Sequence, residues 1–356
     1  MRAILVEVVS TGVKLAPMKN VRLVIADLFL PVDFAAEVCA GLSLPALEML
    51  LARGVSTDSA RIADTPVSLE DALCGLFDVP GAPVAAISAA FDGLEEGIWL
   101  RADPVHLRLQ REQVVLLPNV AVSQDEATLL CASLNEHFSG QGMVFFAPYP
   151  QRWYVRLEQS PDIRMTPLSQ AAGRNIHGHL PTGVDARNWH KIFNEIQMLL
   201  FAHPLNEARE VRGEVALNSV WLWGNGEAAT VASRYDRASS DEVLVEMLAA
   251  AAGSQFATWP ERWQAAEGEQ LLVWTGLRAA LQHGDLASWR DALQAFESNY
   301  AQPLWQALRA GKIDSLQLDV LGGDSLRQLR LTRADSWSFW RRSKKLADYS
   351  AIFTQH

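Results

Sequence analysis

Cysteine is scarce in this chain: Cys39, Cys74 and Cys131 are the only three in 356 residues. Their odd number and wide spacing include no CxxC pair. That excludes a disulfide framework or a zinc site of ordinary spacing and fits a reducing cytoplasm. Basic residues are also in short supply, 31 against 41 acidic ones, for a formal charge of -10. A general nucleic-acid binder needs the opposite balance, so no nucleic-acid partner is expected. Long apolar runs are missing as well. The best candidate, Pro83–Ala90, falls far short of the ~20 residues a membrane span requires, so no membrane partner is expected either. The first residues lack a secretory pattern, because Arg2 precedes only a brief apolar run and Lys14 interrupts the next one. Neither an internal repeat nor a low-complexity linker is visible.

What is present is a globular composition, 49% apolar, at a length suited to one large or two ordinary domains. Met18 opens MKNVRLVIADLFLP, a basic lead into a β-branched run at Val21–Ile25, which predicts a buried strand ending at Asp27. Residues 1–19 are therefore expected to be an extension. Ser43 is expected to cap a helix carrying Pro45 in its first turn and stopping at Gly54. Ser68, three residues before Asp71, has the spacing of an N-cap, as does Ser123 before Glu126. Met143–Ala147 and Trp153–Leu157 are expected to pair around a proline-containing turn. His177 and His179 are two residues apart, a spacing that aligns side chains only on a strand. They fall between glycines, which favours a loop pair over a metal pair. Trp189, Ile192, Phe193, Ile196 and Leu200 recur at helical spacing. A second long stripe, Trp289 to Leu304, is expected to kink at Pro303. In the tail, SWSFWRRSKKL mixes aromatic and basic residues. Basic–aromatic mixing can stack nucleotides, but packing of the rings against the sheet with solvated basic heads is the expected arrangement.

The stretch from His203 to Gly226 organises the rest. A helix empties into Arg209 and Arg212, an apolar run comes next over Leu217–Trp223, and Gly224-Asn225-Gly226 closes it. The layout suggests a site at a strand's carboxyl end; the alternative is a domain junction with solvated arginines. His-Pro-x-Asn, then Arg, then Gly, then Asn-Ser-x-Trp-Leu-Trp-Gly-x-Gly resembles the archaeal-type cofactor-independent phosphoglycerate mutases of the alkaline-phosphatase superfamily. Within that family the chain most resembles the RpfE-type regulatory proteins, a bacterial offshoot. The likeness is good over residues 98–226, weaker over 21–97 and poor beyond 230.

The resemblance implies an α/β fold: a three-layer phosphatase-like domain over 20–97 and 213–334, a smaller inserted α/β domain over 98–212, and a basic, aromatic tail over 335–356. It places Asp27 where the family has its first metal ligand, although Asp27 is equally readable as a residue that ends the strand. Ser68 falls at the nucleophile, with the helix cap the favoured reading. Arg101, Arg152, Arg209 and Arg212 stand at phosphate-binding arginines and are expected to share one cleft. The family's remaining ligands are replaced. Arg278 and Gln282 stand at two of those positions, and the Asp-His pair is missing from Leu316–Asp324. The expectation is a non-catalytic regulatory or metabolite-binding homologue with no cofactor, a phosphorylated small molecule as candidate ligand and an unidentified protein partner. The alternatives are an active isomerase working through Ser68 and a manganese or zinc pair, or a partner-binding protein that uses its Trp-rich tail.

Overall fold

The computed structural model describes residues 19–57, 67–118, 120–226, 229–322 and 325–354. The expected extension therefore lies outside the described residues, apart from its last position. The strands are β1 (Lys19–Ala26), β2 (Val55–Ser56), β3 (Ile98–Gln110), β4 (Gln113–Leu117), β5 (Met143–Tyr149), β6 (Arg152–Leu157), β7 (Ile163–Arg164), β8 (Thr182–Gly183), β9 (Ser219–Trp223), β10 (Arg237–Ser240), β11 (Gln255–Thr258), β12 (Gly268–Trp274), β13 (Ser315–Gly322) and β14 (Ser325–Thr332). The helices are α1 (Val32–Val38), α2 (Pro45–Arg53), α3 (Leu69–Leu76), α4 (Val84–Phe91), α5 (Gln124–His137), α6 (Leu168–Ala171), α7 (Ala186–Phe201), α8 (Pro204–Val211), α9 (Val243–Ala252), α10 (Arg278–Gln282), α11 (Leu286–Phe296), α12 (Gln302–Arg309) and α13 (Leu346–Thr354).

The larger sheet has the order β11-β10-β12-β1-β13-β14-β2, parallel from β11 to β13 and antiparallel at β14 and β2. Burial on both faces explains the near-continuous apolar run of β1. Val21, Leu23 and Ile25 pack into one layer with α2, α11, α12 and α13, while Val24 and Ala26 pack into the other with α3 and α9. The alternation is the period-2 geometry of a strand read from both sides.

The smaller sheet is antiparallel, with β4, β3, β6 and β5 in order and β9 on β3. Its core forms against α5 and α7. The boundary expected at residue 213 therefore moves. β9 pairs with β3, Arg101 opposite Trp223, and the chain rejoins the large sheet only at β10. β9 is also antiparallel to its neighbour. Gly224 has φ +76°, and a Cβ there would meet the Ala85 nitrogen at 3.1 Å, so the glycine-rich exit serves close packing on α4.

Three other local expectations change. The cap of α2 is not Ser43. Glu297, 250 residues away, accepts from the Ala46 and Leu47 nitrogens at 2.8 and 2.9 Å. The stripe from Trp289 to Leu304 bends through a π-helical turn over Glu297–Ala301, ahead of Pro303, which sits in the first turn of α12. In the tail, Trp337, Phe339 and Trp340 are exposed rather than packed on the sheet. Both Ser68 and Ser123 do form capping boxes, with Asp71 and Glu126.

Candidate functional site

In an open parallel sheet, ligands collect beyond the carboxyl ends of the strands, where loops from neighbouring strands converge. Here β1 ends in Asp27, the segment after β12 carries Arg278, and β13 ends at Leu321 and Gly322. Asp27 adopts a left-handed conformation, φ +57°, which aspartate tolerates better than most residues. Its nitrogen donates to the Leu321 carbonyl at 2.7 Å, tying β1 to β13 at this point. Its carboxylate accepts from Arg278 Nε at 2.9 Å, across the β1–β12 boundary.

Asp27, Ser68, Ser169, Arg174, Arg278 and Gln282 all line one cavity of about 330 Å³. Ser68 is thus brought to Asp27, as the resemblance implied, but its hydroxyl is fully engaged. Oγ accepts from the Asp71 nitrogen at 2.9 Å and donates to Asp71 Oδ2 at 2.6 Å. A serine becomes a nucleophile when a base or metal activates it; here the hydroxyl closes a helix cap.

A metal pair does not fit this donor set. Among the described residues that line the cavity Asp27 is the only carboxylate, and it is already neutralised by Arg278. Gln282 offers a neutral oxygen. A divalent cation needs several anionic or imidazole ligands and would be repelled by the guanidinium. Among the described residues no group of three His, Cys, Asp or Glu side chains is placed to hold a metal ion.

A second cavity of about 280 Å³ adjoins the first, sharing Leu69, Ser169, Ala172, Arg278 and Gln282, and reaches the smaller sheet. Arg101 lies there. Strand register explains its surroundings: β6 sets Tyr154 opposite it on one side and β9 sets Trp223 opposite it on the other. The guanidinium carbon lies 5.3 and 5.4 Å from the two ring centroids, within cation–π range. Asp103, two residues on and so on the same face, pairs with Arg101 and accepts from Trp223 Nε1 at 2.6 Å. Arg101 Nε is buried without a hydrogen-bond partner.

The other three arginines do not join it. Arg152 makes a two-pronged pair with Asp92, 2.6 Å on each arm. Arg209 is 1% exposed, with Nε on the Val215 carbonyl, Nη1 on Glu126 and Nη2 on the Ala121 carbonyl. Arg212 pairs with Glu126 and Glu214. The expected single cleft with four arginines is thus corrected. Arg152 and Arg212 line neither cavity, whereas Arg209 lines an adjoining one of about 550 Å³ that shares Gln282 with both; all three are paired with carboxylates. His177 lies in a 3-10 turn and His179 just after it, in keeping with the loop reading.

Two residues that sequence reasoning missed face the second cavity. Glu70 and Glu242 both line it, and burial pushes both carboxyls above the ordinary range. Glu70 accepts from Ser169 Oγ at 2.6 Å. Only its place beside Ser68 could have drawn attention to Glu70, since the capping box suggests an exposed second position. A carboxyl with a raised folded pKa contributes stability that is present below its unfolded pKa of ~4.3 and is lost as pH rises through the folded value. Glu70→Gln keeps an acceptor for Ser169 and removes the charge. It should stabilise the protein by about 0.5–2 kcal/mol at neutral pH, the usual scale of a single favourable change, and by nothing below pH ~4. Thermal melts of both proteins across that range check this; a variant less stable at neutral pH would show that the charge is needed.

The fold is thus a mixed α/β architecture with a cavity at the carboxyl ends of its parallel strands, beside a smaller antiparallel sheet. The whole chain superposes on a Pyrococcus horikoshii protein with TM-score 0.54 and 14% identity, covering 94% of this chain and 93% of that one, a likeness of fold. No family model matches the sequence. Curated relatives are 2,3-bisphosphoglycerate-independent phosphoglycerate mutases. The enzyme of Methanosarcina mazei is 25% identical over 192 residues, 52% of this chain and 48% of its own length. That of Methanothrix thermoacetophila is 31% identical over 110 residues, 31% of this chain and 28% of its own. A probable mutase of Geobacter sulfurreducens is 36% identical over 73 residues, 20% of this chain and 18% of its own. The chain is thus similar to these mutases at low identity, and the alignment with the first spans about half of that relative's length.

Proposed function

We propose that this chain is a non-catalytic homologue of cofactor-independent phosphoglycerate mutase, a metabolite-binding or regulatory protein of the RpfE type. Its ligand would be a phosphorylated small molecule held between the two sheets. The observation that carries the reading is the Arg278–Asp27 ion pair at 2.9 Å, which puts a fixed positive charge at the carboxylate implied to be the first metal ligand. In metal-assisted phosphoryl transfer the cations neutralise both nucleophile and phosphate. A guanidinium neutralises phosphate but does not activate a serine, and Ser68 is already engaged by Asp71. Arginine binds phosphate without a metal, and two features favour such a ligand: Arg278 lines both cavities, and the buried Arg101 Nε lacks a partner.

A second reading, an active mutase or phosphatase, draws on the presence of Ser68 and Asp27 in the same cavity. One experiment separates them: elemental analysis of the purified protein, a manganese-supplemented mutase assay, and melting curves with phosphoglycerate. Losing metal charge compensation removes several kcal/mol of transition-state stabilisation, and each 1.36 kcal/mol is about tenfold in rate. Turnover should therefore lie in the background, while phosphoglycerate raises the melting temperature. Two stoichiometric metals, or turnover abolished by Ser68→Ala, would restore the enzyme reading. Absence of any thermal shift would remove phosphoglycerate as the ligand.

A further inference from the structure

The segment after β14 is folded with its polar residues inward and its aromatic residues outward. Ser336 and Ser338 are buried, whereas Trp337, Phe339 and Trp340 are 57, 81 and 69% exposed. Fraying does not account for this. Asp335 Oδ2 accepts from both the nitrogen and the hydroxyl of Thr332, Ser336 Oγ donates to the Arg333 carbonyl, and the Arg341 nitrogen donates to the Ser338 carbonyl. Further along, Leu346 and Tyr349 are buried in the core of the large sheet. The segment is pinned at both ends in a conformation that presents three large rings to solvent. The Phe339 and Trp340 rings touch, 5.3 Å between centroids, and exposed aromatic groups of this kind mark an interaction surface.

Charge narrows the partner. Residues 336–347 carry Arg341, Arg342, Lys344 and Lys345 and no acid, in a chain whose net charge is -10. Arg341 Nη1 donates to the carbonyl of Arg53, and Lys345 lies 3.6 Å from Glu48, while Arg342 and Lys344 are exposed. The guanidinium of Arg309 lies over the Trp337 ring at 5.0 Å.

We propose that this face docks peripherally on an anionic lipid bilayer. Trp and Phe settle at the headgroup level, and neighbouring Lys and Arg are drawn to anionic headgroups. No described helix is long and apolar enough to cross a membrane, and surface docking does not require one. A bilayer fits better than a protein or a single strand of nucleic acid. Aromatic hot spots in protein interfaces seat in well-packed pockets, and single-strand binders line a groove with rings. Residues 336–345 line none of the cavities described above.

The test is co-sedimentation of the full chain with phosphatidylcholine vesicles and with vesicles containing about 30% phosphatidylglycerol, at low and high salt. Anionic vesicles should bind at least about tenfold more tightly than neutral ones, and salt should weaken that binding. The pairs Phe339→Ala with Trp340→Ala, and Arg342→Glu with Lys344→Glu, should each lower binding about tenfold or more. Melting temperatures close to that of the parent establish that the variants are folded. Equal binding to both vesicle types, or anionic binding that survives both pairs, overturns the proposal. So does concentration-dependent self-association abolished by the same variants, which assigns the face to a second copy of the chain.

Discussion

Arg209→Ala should destabilise the protein by about 1.5–3 kcal/mol, the scale for losing hydrogen bonds to a charged group, because Glu126 keeps Arg212 and the Ser123 nitrogen. Arg209 looks like a phosphate ligand in the sequence but acts as a clip. Its three nitrogens join the end of α8 to the Ala121 carbonyl, the Val215 carbonyl and Glu126. Glu126 is also the N3 residue of the capping box that opens α5, so removing the arginine loosens two helices at once. Burial raises the Glu126 pKa, but the Ser123 nitrogen and Arg209 outweigh it and hold the carboxyl below its ordinary range. A depressed folded pKa gives stability that is present above the unfolded value and lost as pH falls through the folded one. The gap between parent and variant should therefore narrow below pH ~4. Urea unfolding at neutral and acid pH measures both effects. A variant that keeps full stability but loses ligand binding would return Arg209 to the site.

Arg152→Ala should destabilise by more, about 3–5 kcal/mol, because it strands a buried carboxylate. The Asp92 side chain is 0% exposed, and Arg152 supplies two of its hydrogen bonds. Without the arginine a buried carboxylate keeps only the Tyr154 hydroxyl, at 2.6 Å. Adding Asp92→Asn removes the stranded charge and should recover most of the loss. If the double variant is no more stable than the single one, packing of Arg152 on the Tyr149 ring, 4.3 Å from its centroid, is the larger contribution.

These two arginines are legible by type, but their partners are not. Guanidinium groups at turns suit phosphate and carboxylate equally, and a sequence does not say which anion arrives. Asp92 and Glu126 lie 60 and 83 residues from their partners. Arg101 is different. Its neighbours are set by strand register, and the pairing of β3 with both β6 and β9 brings Tyr154, Trp223 and Asp103 around it. The Asp27–Arg278 pair spans 251 residues, yet it is half visible in the sequence: both positions stand where the family carries metal ligands, and the replacement of an anion by a cation signals a changed site.

The sequence by itself determined the local elements. Apolar periodicity and capping boxes act within one turn of chain, so β1, α3, α5 and α7 appear where Val21–Ile25, Ser68–Asp71, Ser123–Glu126 and the Trp189 stripe put them. It also carried the α/β class and the likeness to the mutases. Tertiary structure alone decided which sheet receives β9, because a short, fully buried strand has the same composition in either sheet. It decided that Glu297 caps α2 and that Glu70 and Glu242 are buried beside a shared cavity, since both depend on residues far apart in the chain. It decided, too, that the tail turns its rings outward. Hydrophobicity predicts burial only when a packing partner is available, and the backbone hydrogen bonds and buried serines of residues 332–341 hold those rings away from the sheet.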